Sequence, residues 1–415
     1  MKSLIGSLLD SGGWKAYESS LIELFLDVSD SVHNTSCDRH DLAICRAFEM
    51  LETLHPARLA EAAPFFWLNL HRVRRAQGTA NCHPFLRDVL MTGFDSYFHF
   101  LPGGTTFELP PSDGGALVLP RLGIRVSEAS PSMLRRLSST ILEIEVDSAR
   151  YTFDLPTHPG RAATCRISDE PPQFVLAVGD RAVTTSDVTN IVAENALEPF
   201  SRQIPQALAL IKSVDRQLYE SIRRTVQWFV PLMMPSPSVH YSRSARDLVG
   251  VVHLSEGYSG VKLAEAIVHE FHHNELYALQ RTQNLTHDGD RPVYYSPWQT
   301  GPRPISGLLH ALHAFSGLLK FYGAAVHTIE LNEATNAWRR ELCQKLRVCM
   351  AQVPVDAMTP IGHLFLKNVE HDVMEQETKL GIRSDRIPET LIAHARQWCR
   401  DHPACVQFLS LSDPG

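Results

Sequence analysis

The residues of this chain best suited to chemistry fall in one pentad, His269-Glu270-Phe271-His272-His273. His269 and His273 stand at i and i+4, so on a helix both imidazoles leave the same face and can share one divalent metal. Glu270, one residue on, is turned about 100° from His269, near enough to act as a base or to orient a ligand. The surrounding segment, Val261 to Gln280, is apolar nearly all round, with Leu263, Ala266, Ile267, Val268, Phe271, Leu276, Tyr277 and Leu279. A helix of that kind is buried, and polar groups on it cost free energy unless paired or ligated. The pattern predicts a metal centre on a buried helix.

The third ligand decides the chemistry, and the spacing leaves it open. Metzincin proteases need Gly and His three and six residues past the second His; Leu276 and Leu279 stand there, which excludes that class. A gluzincin-type zinc peptidase would use Glu270 as general base and a downstream glutamate as ligand. Asn332-Glu333-Ala334 offers Glu333, although a solvated helix face is the more ordinary role for such a residue. His310 lies in an apolar stretch with Leu308, Leu309 and Ala311, after Pro304. His313, one turn on, is its rival and reads more simply as a satisfied core histidine. A two-His-one-carboxylate iron site of the barrel type would need His-x-Asp or His-x-Glu. The match on this helix, His273-Asn274-Glu275, joins positions that do not face each other, so that type is disfavoured.

These residues must be held by a larger frame. The chain has 415 residues, enough for two or three domains at roughly 100–200 residues each. Its texture predicts three regions: a helical one over 1–103, a β-rich module over 104–186, and a mainly helical metal-binding catalytic domain over 187–415. Strands are expected at Ala116 to Leu119, Ile141 to Val146, Tyr151 to Leu155, Phe174 to Val178 and Leu248 to Leu254. Ser255-Glu256-Gly257 then turns the chain into the metal helix. Pro205 to Phe229 reads as one helix, Pro231 to Pro237 as a breaker, and Ser306 to Leu346 as a further helical stretch. The fold class is α+β and mainly helical: a zincin-like metal-binding helix with a short antiparallel sheet, and a β-rich insert near the middle of the N-terminal half.

The net charge of −7 and the lack of an extended basic patch argue against a nucleic-acid partner. No window of 18 or more apolar residues is present, which argues against a membrane span, and the first residues make a poor signal peptide. Eight cysteines with no Cys-x-x-Cys pair read as reduced, mostly buried thiols. The expectation is a cytoplasmic protein with no membrane partner.

Three blocks in order carry a family resemblance: Glu265-Ala266-Ile267-Val268-His269-Glu270-Phe271-His272-His273, then Ser296-Pro297-Trp298-Gln299-Thr300-Gly301-Pro302-Arg303-Pro304, then Gly307-Leu308-Leu309-His310-Ala311-Leu312-His313-Ala314-Phe315. Over residues 238–320 the chain resembles the α-ketoglutarate-dependent HExxH-type peptide β-hydroxylases, associated with ribosomally made, post-translationally modified peptides. The resemblance implies an Fe(II) dioxygenase with His269, His273 and His310 as ligands, α-ketoglutarate and O2 as co-substrates, and a precursor peptide as substrate. It further implies that Arg303 forks onto the distal carboxylate of the keto acid, that Trp298 walls the pocket, and that Glu270 and Glu265 support the ligands. The strand Val249 to Leu254 could then hold the peptide by strand addition at an exposed edge.

Overall fold

The computed structural model describes residues 4–35, 48–49, 51, 64–76, 89–90, 101–108, 117–119, 124–126, 131–138, 140–146, 149–154, 164–166, 175–177, 197–232, 240–255, 257–258, 260–287, 291–326, 333–382 and 387–408. The fold is α+β and mainly helical. Much of the expected helix Leu42 to Leu54 and the loop Pro231 to Pro237 beyond Leu232 lie outside the described residues.

The chain forms two compact units, each discontinuous in sequence. The first gathers residues 1–14, 207–225 and 260–415; the second gathers residues 15–206 and 226–259.

In the second unit, α2 (Trp14–Thr35) and α3 (Pro64–Ala76) carry the helical texture of the N-terminal region. Phe25, Phe48 and Phe66 are fully buried there, with Phe25 stacked on Phe48 at 5.8 Å between ring centres. Among the described residues eight strands follow between residues 106 and 177: β1 (Thr106–Glu108), β2 (Leu117–Leu119), β3 (Ile124–Val126), β4 (Pro131–Arg136), β5 (Ile141–Val146), β6 (Ala149–Asp154), β7 (Thr164–Arg166) and β8 (Val175–Ala177). Strands β1-β4-β5-β6 form one antiparallel sheet in that order, and β2-β3 a small hairpin. On β5, Leu142 and Ile144 are fully buried while Glu143 and Glu145 face Arg135 on β4, the alternation of a sheet with one covered face.

Three more strands, β9 (Trp228–Leu232), β10 (Ser242–Arg243) and β11 (Val251–Ser255), join β7 and β8 in the order β10-β11-β9-β8-β7. This sheet is mixed: β11-β9 and β9-β8 are parallel, the outer pairs antiparallel. Every residue of β9 and β11 is buried, which is why they read as continuous apolar runs rather than alternating ones. The expected peptide-binding edge at Val249 to Leu254 is therefore not there: β11 has a strand on each side. The expected single helix Pro205 to Phe229 is also divided. α4 (Leu197–Val214) ends at Asp215, whose carboxylate caps α5 (Arg216–Thr225) by accepting from the Leu218 amide at 3.0 Å, and Trp228 to Leu232 are strand.

The first unit is a helical packing around α6 (Gly260–Gln280). Gly257 and Gly260, at φ of 90° and 51°, turn the chain between β11 and α6 through backbone conformations that favour glycine. α6 packs on α7 (Ile305–Ala325), which packs in turn on α8 (Glu333–Ala351) and α9 (Pro360–Leu380). The expected stretch Ser306 to Leu346 is thus two helices. The short α1 (Leu4–Leu8) and the π-helical turn Leu9–Gly13 also lie against α6, and α1 against α9. α10 (Glu389–Asp401) closes a cluster of Tyr295, Val348, Leu391, Ala395 and Trp398. Among the described residues no helix is long and apolar enough to cross a membrane, and Cys343, Cys349, Cys399 and Cys405 are free.

Candidate metal centre

The pentad lies in the middle of α6, as its spacing predicts, with thirteen residues of that helix buried, Ile267, Val268 and Phe271 among them. His269 and His273 do share a face: their Nε2 atoms are 3.1 Å apart and their rings meet edge to face at 4.7 Å. His310, on the second turn of α7, joins them, with its Nδ1 3.1 Å from Nδ1 of His273. His273 thus turns opposite ring nitrogens to its two neighbours. Nε2 of His310 lies 3.0 Å from Oε1 of Gln280, and Tyr277 covers the ring at 4.3 Å. Burial pushes His269 down to about 4, helped by His272, and pushes His273 well below the usual imidazole range, helped by the other histidines. Both are neutral at pH 7, the form that ligates metals.

Trp298 stacks on Phe315 at 4.2 Å, and Phe315 meets the His269 ring edge to face at 4.9 Å. A continuous aromatic wall therefore runs from Trp298 to the first histidine. Arg303 is exposed, and its backbone pairs with Tyr294. Its guanidinium folds over Gly307 on the first turn of α7, where an added Cβ would come within 3.1 Å of Nε. Among the described residues no carboxylate pairs with it. Glu270 is buried, and its main-chain carbonyl accepts a hydrogen bond from the Asn274 amide at 3.0 Å. Glu265 is occupied elsewhere: Tyr322 donates to its carboxylate at 2.6 Å and Lys262 pairs with it at 2.7 Å. Glu333, the ligand a gluzincin-type site would need, is exposed at the start of α8 and paired with Arg340 at 2.8 Å.

A second set of donors stands on the adjoining face of α6. His272, Glu275 and His313 each present one ligand atom, and the three atoms lie within 4.8 Å of one another. This buried His/Glu/His triad could hold a metal ion. Nδ1 of His272 is 3.0 Å from Oε2 of Glu275, and Nε2 of His313 is 3.3 Å from the same oxygen. Burial alone would raise the Glu275 carboxyl, but the two imidazoles against it outweigh that and hold it down at about 2. His313 is lowered by burial, partly offset by Glu275.

Spacing within the sequence does not point to this triad, because Glu275 reads as a partner of His273 at i+2, and those two positions diverge on a helix. The partner is His272, at i and i+3, and a buried glutamate on an apolar helix had to find one. His313 reads as a core histidine from its surroundings, and nothing local reveals that it meets Glu275 across the helix packing. No protein-family model matches the chain, and no curated protein matches it.

Proposed function

We propose that the protein is an Fe(II)- and α-ketoglutarate-dependent oxygenase that hydroxylates the β-carbon of a residue in a ribosomally made peptide. The observation that supports this most is the meeting of His269 and His273 on α6 with His310 on α7, with an aromatic wall against His269. Three imidazoles are a donor set suited to a divalent transition metal, and burial keeps the α6 pair in the ligating form; because His273 turns Nε2 to His269 and Nδ1 to His310, holding one ion requires the His310 or His273 ring to reorient. When bound, Fe(II) with α-ketoglutarate and O2 supplies an oxidant that replaces a C–H by C–OH, the keto acid leaving as succinate and CO2.

The chain's own residues do the positioning. Gln280, by accepting from Nε2–H of His310 at 3.0 Å, sets the tautomer whose lone pair is on Nδ1, the atom turned toward His273. The Arg303 guanidinium presents a planar fork to the distal carboxylate of the keto acid, and its seat on Gly307 ties it to the helix that carries His310. Trp298 and Phe315 exclude water on the His269 side. Glu270, buried in the helix, is a positioning residue in this reading. The peptidase alternative, with Glu270 as base, would take Glu333 as its third ligand, and Glu333 is exposed and paired with Arg340.

Anaerobic reconstitution with Fe(II), then α-ketoglutarate, tests the reading. A visible metal-to-ligand charge-transfer band is expected in the wild-type protein and is expected to vanish in His310→Ala. A wild-type protein that gives no band and instead holds zinc tightly and stoichiometrically overturns it.

A further inference from the structure

We propose that His272, Glu275 and His313 form a second divalent-metal site, of the Zn(II) class, separate from the three histidines proposed above to hold iron. The two sets share no residue. Consecutive histidines on a helix point about 100° apart, so His272 and His273 serve different faces of α6.

Three observations carry the proposal. The donors are nearly sealed from solvent, at 5 % exposure for His272, 2 % for Glu275 and 5 % for His313, and two imidazoles with one carboxylate are ordinary zinc ligands. Nε2 of His313 and Nδ1 of His272 lie buried at 3.3 and 3.0 Å from the same carboxylate oxygen of Glu275, so the three donors already converge on one point. The fold also makes room for the third donor. A Cβ at Gly317, one turn past His313 on α7, would overlap the His272 imidazole, so glycine at that position is what admits the ring between the helices.

The triad lines a cleft together with Phe271, Phe321, Ser221 and Lys320. Water from this cleft would complete a four-coordinate ion; the Lys320 charge reaches His313 but is paired with Asp372 at 3.2 Å, and the Glu275 carboxylate offsets it at the ion. An ion there would join α6 to α7 through their side chains, and its role is to brace the helix that carries His269 and His273.

The test is metal content after chelation and reloading with Zn(II) alone, with Co(II) absorption as a second readout. Wild-type protein is expected to hold two equivalents, His313→Gln one, and His310→Ala one, with circular dichroism confirming that each variant folds. Glu275→Gln, which keeps the shape of the side chain, should lose the same equivalent as His313→Gln. If wild-type protein holds no zinc, or a single equivalent lost in His310→Ala and retained in His313→Gln, the second site is refuted. A single equivalent lost in His313→Gln and retained in His310→Ala upholds the triad and counts instead against the three-histidine ligand set.

Discussion

A buried imidazole stays neutral where water cannot reach it, and His253, on β11 of the second unit, shows the effect. It lies at the middle of β11, fully buried, with Nδ1 3.4 Å from the carbonyl of Arg243. Burial pushes it down to about 4, with a contribution from the Arg243 charge. Below its ordinary value of 6.5 the unfolded chain takes up a proton that the folded one refuses. Stability is therefore fully present above pH 6.5 and falls as the pH drops toward 4, by up to about 3 kcal/mol from this residue. Urea unfolding of wild-type protein and His253→Gln across that window should give a shallower slope for the variant; parallel slopes would show that His253 does not set the acid limit. His269, His273 and His313 act in the same direction, so the difference between the two proteins is the quantity to measure.

Among the elements, the contact of α6 with α7 matters most, because each donor set draws on both helices. Gly317 is where that contact admits the His272 ring. Gly317→Ala should cost about 1–3 kcal/mol through overpacking and should also weaken metal retention. Thr359→Ala removes the side chain that caps α9 by accepting from the Gly362 amide at 3.1 Å; it should cost about 1 kcal/mol and leave metal content unchanged. Thermal melts beside metal analysis separate the two outcomes. Equal metal loss in both variants would mean that retention follows overall stability rather than the local seat of His272.

Across the whole molecule, the unit that carries the candidate metal ligands is not one continuous stretch of chain. Residues 1–14 belong to it together with residues 260–415. Ile5 and Leu9 are each 1 % exposed, and the segments that carry them lie against α6. Deleting residues 1–13 should destabilise this unit, by roughly 3–6 kcal/mol as an upper estimate for two fully buried aliphatic side chains. A truncated protein with an unchanged melting temperature and metal content would show that this segment is dispensable. A fragment beginning near residue 187 would lack the same apolar cover.

Much of this was legible in the residues themselves. The 3.6-residue period and all-round apolar character of Val261 to Gln280 determined a buried helix, and the i, i+4 spacing placed His269 and His273 on one face of it, since both facts depend on local geometry alone. The β-branched run of β5 fixed its bounds at Ile141 and Val146 for the same reason. The tertiary structure decided which side chains of α7 meet α6, and so that His310 reaches His273 while Glu275 receives both His272 and His313. That register depends on where two helices can approach closely, at Gly317, and no spacing within either helix contains it. It likewise decided that β11 is an inner strand, because a run of buried apolar residues reads the same whether one neighbour or two lie beside it.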